Sequence, residues 1–385
     1  MSATVHVAES LQELDPFLAG WDRLAEDNGQ PLCRPDWLLE WWRARSTQQN
    51  GPAGLRVVIV CDEQGLAGVA PMFVEDTRAR VAHWRFLGQG IFYGVGLLVR
   101  SDGGDSTVGL IARAIASSRR PPGILFIHGI DIDCWWPEAL ARSWPDRRAW
   151  MREGSRTRAI SIRLDGTFDG WLRGRGRDWP GDYRRRRRRL LERGGVVRRA
   201  QGAEDVDGSL AALIRLYHAR WGHGPGGLSP GIEQTVRVAG ERLASRDAFR
   251  VWLVEVDGRV IAASAFAVAG RAIYLLLTTY DGEWRSFAPG LVSILAGVEE
   301  AFQLGDEVID LGFGTYSYKL RLADEIRWIS WREMFPRDRR YPLARAHALP
   351  WHGREAVDRA RARVQARTRL AEAWARAGNR VRRDR

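Results

Sequence analysis

Two stretches far apart in the chain share one pattern. "LRVVIVCDEQGLAGVAPMFV" (55–74) and "FRVWLVEVDGRVIAASAFAV" (249–268) each read as a β-branched strand, a tight acidic or glycine turn, and a second strand rich in small residues. Asp257-Gly258 is a strong hairpin signal because both residues tolerate the positive φ of a two-residue turn, and Glu63, Gln64 and Gly65 form a looser version. One unit met twice predicts a duplicated domain, and 385 residues are too many for a single ordinary core.

The flanks of the two hairpins correspond. The first is preceded by helical patterns near 10–27 and 36–47; after it come strands near 80–87 and 91–99, a helix near 105–118 and the strand "GILFIHGI" (123–130). The second follows helices near 179–193, 205–221 and 230–245; the strand "AIYLLLTTY" (272–280), a helix near 289–304 and the strand "DEVIDLGF" (306–313) come after it. Each half is therefore expected to be helices, an antiparallel hairpin with a third strand, and a helix crossing to a further strand, an α+β fold with mixed, mostly antiparallel sheets flanked by helices. The strand "TRAISIRL" (157–164) leads from one half into the other, which sets expected domains at 1–156 and 157–340. Residues 341–385 read as a linker punctuated by Pro342 and Pro350, then a basic helix striped by Val357, Val364, Leu370, Trp374 and Val381.

Charge is concentrated in two segments. Residues 173–199 hold 12 Arg against Asp178, Asp182 and Glu192, and residues 354–385 hold 11 Arg against four acids, in a chain whose net charge is +12. The implied partner is an anion met by those segments alone. The run Arg184–Arg189 lies on a helix that keeps Trp179, Tyr183, Leu190 and Leu191 near one face, so it is either a solvated surface or an electrostatic rim for phosphates. The C-terminal helix either packs on the body of the protein or meets an anionic membrane or RNA. No apolar run is long enough to span a bilayer and the N-terminus lacks a signal-peptide pattern, so the expected location is the cytoplasm. Cys33, Cys61 and Cys134, odd in number and far apart, suit neither a disulfide framework nor a zinc site, and no metal is expected.

Most catalytic signatures are missing. There is no G-x-S-x-G elbow, H-E-x-x-H, C-x-x-C or Walker loop, and "GQGIFY", "GRGRDW" and "GFGTYS" each lack the third glycine of a dinucleotide fingerprint. One stretch does suit an anion. After the strand ending at Tyr280, "DGEWRSFAPG" enters a helix through Ala288-Pro289-Gly290, where proline fits the first turn and the free amides and dipole favour a phosphate. Arg285 and Ser286 add a charge and a hydroxyl. Another residue stands out by rarity: of 59 Lys and Arg residues, only Lys319, in "GFGTYSYKLRLAD", is lysine. A compact ammonium can shift its pKa, which the guanidinium fork cannot, so a lysine kept in an arginine-rich chain is a candidate for chemistry.

The run "WPGDYRRRRRRLLERGG", then "LYHARWG", then "GRVIAASAFAVAGRAIYLLLTTYDGEWRSFAPGLVSILAGVEEAFQLGDEVIDLGFGTYSYKLRLAD" resembles GNAT-superfamily acyltransferases of the BioF2-like or CelD-like kind, related to the FemABX aminoacyltransferases. The resemblance implies tandem GNAT-like domains and an N-acyltransferase, with acyl-CoA, acetyl-CoA first among donors, or aminoacyl-tRNA as in FemABX proteins. It implies donor contacts along Tyr280, Arg285, Ser286, Phe287, Ala288, Pro289 and Gly290, although "RSFAPG" replaces the usual Gln/Arg-x-x-Gly-x-Gly/Ala loop. Lys319 would stabilise the oxyanion of acyl transfer, with Tyr316 and Tyr318 as candidate acids and Asp310 as a base. His218, Arg220 and Trp221 would contact the acceptor, an amine on a saccharide, an envelope precursor or a small metabolite. A binding module without catalysis is the remaining alternative.

Overall fold

Asp257 and Gly258 adopt φ values of 50° and 73°. Two successive positive φ angles make the type of turn whose twist matches its flanking strands, and this one joins Val256 to Arg259 across a hairpin. The computed structural model describes residues 3–46, 53–77, 79–90, 92–145, 147–222, 227–358 and 360–361. The first half runs β1 (Thr4–Ala8), α1 (Leu18–Asp27), α2 (Pro35–Ser46), β2 (Ala53–Asp62), β3 (Gly65–Asp76), β4 (Ala82–Phe86), β5 (Leu98–Val99), α3 (Gly104–Ala116), β6 (Ile124–Asp131), α4 (Trp136–Arg142) and β7 (Trp150–Arg163). After α5 (Phe168–Gly174) and α6 (Trp179–Leu191), the second half repeats the scheme. It runs β8 (Gly195–Arg199), α7 (Ala203–Trp221), α8 (Pro230–Ala244), β9 (Phe249–Val256), β10 (Arg259–Ala269), β11 (Ala272–Tyr280), α9 (Pro289–Leu304), β12 (Val308–Phe313), α10 (Ser317–Leu322) and β13 (Glu325–Phe335).

The thirteen strands form one sheet, in the order β1-β2-β3-β4-β6-β13-β7-β12-β11-β10-β9-β8 with β5 beside β3. In each half one parallel pair interrupts the antiparallel ladder, β4 with β6 and β11 with β12. The halves then exchange strands. β7 leaves the first half and pairs with β12, while β13 leaves the second and pairs with β6. β7 and β13 lie antiparallel along most of their length and weld the two sheets together.

The largest core cluster draws on both halves. Trp37 from α2 meets Phe249 from β9 edge to face at 5.3 Å. Arg34, 3% exposed, donates to the Val268 carbonyl at the end of β10 while its other nitrogens bind Asp22 and Glu26. A second cluster under α9 holds Ile160, Ile162, Ile273, Leu275, Ile309 and Leu311.

Several local expectations need correction. The strand expected over 91–99 survives only as Leu98–Val99, because Gly88, Gly90 and Gly94 hold positive φ and turn the chain away from the ladder. A helix that no sequence pattern announced, α10, follows "GFGTYS"; its six residues are too few to show a periodicity. Leu191, assigned to the covered face of α6, is 49% exposed. Residues 341–358, expected to open as a linker, are helical from the start. Pro342 lies in the first turn, where proline is tolerated, and Ala344 and Ala348 pack on Val81, Ile124 and Phe126. Val364, Leu370, Trp374 and Val381 of the expected stripe lie outside the described residues.

Candidate active site

β11 and β12 pair only from Ala272–Tyr274 against Val308–Asp310. Beyond Tyr274 they diverge, while β11 stays paired to β10 on its other side as far as Tyr280. The free edge of β11 thus offers unpaired backbone groups to whatever enters the wedge. A bulge sits on that edge: Leu275 opposes Phe266 and Leu277 opposes Ala265, so Leu276 is the extra residue. Strict alternation would send Leu276 and Leu277 to opposite faces, but the bulge turns both toward α7 and α8, where they border a cavity of about 770 Å³, while Leu275 packs in the cluster under α9. Leu311 through Tyr316 and Lys319 form its second wall, and Tyr217, Leu228, Ile232 and Val236 from the α7–α8 region its third.

β12 is bulged as well. Asp310 opposes Ser161 and Phe313 opposes Ala159, which leaves one residue too many between them, and Gly312 takes φ 75° there. A side chain at Gly312 would bring its Cβ to 2.9 Å from the Tyr274 hydroxyl and 3.7 Å from Lys319 Nζ. The absent side chain therefore lets a phenol and an ammonium converge on one backbone position. The kink also presents the Phe313 carbonyl, which accepts from Lys319 Nζ at 3.0 Å.

Lys319 sits on α10 and is only 8% exposed. Burial pulls its pKa from the usual value down to about 8, against an opposing pull from Asp310. Asp310 is itself pushed upward by burial, countered by Arg327, the Gly312 amide and Lys319. Its two oxygens are engaged, one accepting from the Gly312 amide at 2.7 Å and the other from Arg327, which also reaches Asp131 at 3.2 Å. Tyr316 lies 60% exposed at the rim, its ring 5.7 Å from Lys319 Nζ and stacked on Tyr318 at 6.3 Å. Burial raises Tyr318 to about 12, so that phenol keeps its proton at neutral pH.

The far end of β11 carries the expected anion loop. Asp281 accepts from the Glu283 amide and caps a 3₁₀ turn over Gly282–Phe287. Ala288 then takes the left-handed conformation, φ 51° and ψ 49°, a strained setting for a residue with a Cβ, and Pro289 opens α9. Arg285 and Ser286 are exposed. Gly290 has another reason to be glycine than ligand approach, since a Cβ there would lie 3.0 Å from the Tyr280 ring. The arginines of α6 border this loop. Arg186 donates to the Ser286 carbonyl at 3.4 Å, and Arg189 and Arg193 lie over the Phe287 ring at 4.8 and 5.1 Å.

The three expected acceptor contacts separate. His218 Nε2 lies 2.7 Å from Glu233 of α8, and its Nδ1 lies 3.4 Å from the Gly222 carbonyl, so it ties α7 to the following segment. Arg220 lies over the Tyr280 ring at 4.2 Å, at the C-terminal end of β11, and Trp221 stays 46% exposed next to it. Sequence reasoning missed Tyr274, Tyr217 and Arg327, and also Tyr93, which lines the same cavity. Tyr274 is hidden in an apolar strand pattern, and Arg327 stands on a strand that had not been recognised. Among the described residues no group of three or more His, Cys, Asp or Glu could hold a metal, and no helix is long and apolar enough to cross a membrane.

Residues 180–320, which contain the wedge, Lys319 and the α9 loop, match the family model of an acetyltransferase (GNAT) domain. The chain carries a GNAT acyltransferase domain over these residues. No curated protein matches the chain. Among solved structures the whole chain is similar in fold to the crystal structure of FemX, with TM-score 0.59 and 14% identity over 89% of this chain and 99% of that one. It is also similar to the C-terminal domain of a putative lysylphosphatidylglycerol synthetase from Agrobacterium fabrum, with TM-score 0.53 and 10% identity over 86% and 94%. A conserved protein of unknown function from Bacteroides thetaiotaomicron VPI-5482 shares the fold at TM-score 0.52, with 8% identity over 86% and 100%.

Proposed function

We propose that the acyltransferase moves an acyl group from acyl-CoA to an amine, with the second half carrying donor and chemistry. The supporting observation is continuity: the unpaired edge of β11 begins beside the α9 loop, passes the Leu276 bulge, and reaches Lys319. Three residues of strand separate Tyr280 from Leu277, roughly 10 Å at strand rise. In this reading the CoA phosphates lie at Arg285, Ser286 and the start of α9, and the pantetheine arm hydrogen-bonds along β11. The thioester carbonyl then stands beside Lys319.

The acceptor nitrogen attacks that carbonyl, the C–O π pair moves to oxygen, and the Lys319 ammonium stabilises the resulting oxyanion. Collapse breaks the C–S bond, and Tyr318 or Tyr316 supplies the proton that the leaving thiolate needs. Asp310, held by Arg327 and Gly312, keeps negative charge beside Lys319 and takes up the proton released by the acceptor amine. The first half, within boundaries at 1–156 and 157–340, closes the acceptor side of the cavity. The acceptor is an amine of a saccharide, an envelope precursor or a small metabolite, met in the cytoplasm; residues 354–385 would give peripheral contact with an anionic membrane.

Aminoacyl-tRNA is the second reading of the donor, favoured by the arginines of α6 at the loop. Thermal denaturation with acetyl-CoA, CoA and bulk tRNA separates the two. A rise in melting temperature with CoA esters, without tRNA binding at physiological salt, supports the first. Tight tRNA binding that weakens steeply with salt, with no response to CoA, replaces it by the second.

A further inference from the structure

An acetyl group brings one methyl to the wedge, and the wedge is built for more. Its cavity of about 770 Å³ falls in the range that encloses a drug-sized ligand. Leu276 and Leu277 from β11, Leu228, and Ile232 and Val236 from α8 make a wall with no charged side chain. The polar groups, Tyr93, Tyr217, Tyr274, Thr315, Tyr316 and Lys319, belong to the same cavity. An acetyl donor would leave most of that aliphatic wall against water, and each uncovered methylene group forgoes the gain of burial.

We infer that the donor's acyl group is an aliphatic chain of several carbons, which extends past the Leu276 bulge and fills the space between β11, β12 and α8. This rests on the proposed acyl-CoA reading and replaces acetyl with a longer chain. The choice of donor over acceptor as the source of the chain comes from β11 itself. A substrate laid along its free edge from Tyr280 meets Leu277 and then Leu276. The bulge turns Leu276 and Leu277 to the same side, so the strand that guides the donor also lines the space beyond the reacting carbonyl. The second parallel pair, β4 with β6, has no such leucine run beside it: the residues after β4 are a glycine-rich loop.

The test is the binding of S-alkyl-CoA thioethers, methyl through decyl, to the full chain by calorimetry. A thioether has no carbonyl to transfer, so the result does not depend on knowing the acceptor. Affinity is expected to rise about fourfold per added methylene until the cavity is filled. In Ile232→Trp, which narrows the α8 wall, the ratio of octyl to methyl affinity should fall at least tenfold. Leu277→Thr, a strand-compatible change, should lower the same ratio if the tryptophan is not tolerated. A series that is flat while CoA itself binds overturns the chain and leaves the acyl-CoA reading intact. A flat series together with n-alkylamines that bind more tightly as they lengthen assigns the wall to the acceptor and overturns it too. Failure of every CoA derivative to bind removes both readings.

Discussion

At the scale of single residues, Lys319 is held in a state that its environment opposes. Moving its pKa from the usual 10.5 to about 8 corresponds to a cost on the order of 3 kcal/mol for keeping the ammonium at neutral pH. A lysine retained under that cost is consistent with the proposed oxyanion role, and its removal should then separate stability from activity. Lys319→Met is expected to melt no lower than the parent protein while turnover falls about 100-fold or more, read by thermal denaturation and by release of free CoA. Lys319→Arg should lose comparable activity and also stability, because the longer planar fork must enter a site that is only 8% exposed. Rarity in the sequence pointed to the residue, but not to its burial.

The same shift fixes a pH dependence. If the ammonium form stabilises the oxyanion, kcat/KM falls as pH rises through about 8; a neutral amine acting as base would give the opposite slope. Stability moves the other way. The folded-state pKa lies below the unfolded one, so between about 8 and the ordinary lysine value the unfolded chain binds more protons, and folding gains stability as pH rises through that window. Rate profiles and urea melts on the parent and on Lys319→Met distinguish this contribution from the rest of the chain.

At the scale of elements, the loop before α9 and α6 are in contact, and the proposed donor site rests on both. Most arginines of the run have an acidic neighbour: Arg184 with Asp169, Arg185 and Arg186 with Asp182, Arg187 with Glu299, Arg188 with Glu192. Arg189 and Arg193 instead lie on the Phe287 ring at the start of α9. Replacing both with glutamate is expected to weaken CoA binding about tenfold or more at low salt, with a smaller loss at high salt, and to leave the melting temperature near that of the parent. Calorimetry at two ionic strengths checks it.

The elements also separate what a sequence exposes from what it hides. Strands bounded by turn chemistry were legible: the Asp257-Gly258 hairpin, β11 at 272–280, and α9 with its Pro289 start. β1, β8 and β13 were not, because short or mixed-polarity strands at edges or seams carry no clean alternation. The Leu276 and Gly312 bulges were hidden for a different reason. A bulge is defined by the partner strand's register, which no local pattern contains. The residues that shape the wedge were therefore visible as letters, but the wedge was not.

At the scale of the whole molecule, the halves are joined by buried polar links as well as by strands. Arg34 fastens the first half to the last turn of β10 and satisfies Asp22 and Glu26 at the same time. Arg34→Ala leaves the Val268 carbonyl without this donor and Asp22 without this partner. It should destabilise the full chain by about 3 kcal/mol or more, measured by denaturant melts. The reciprocal exchange of β7 and β13 has a consequence for synthesis. The edge of β6 stays open on the ribosome until residue 335 has been made, because the strand that covers it is the last in the sheet. The first half leaves the exit tunnel as an unfinished template with one exposed flank, vulnerable to self-association for the whole time the second half takes to appear.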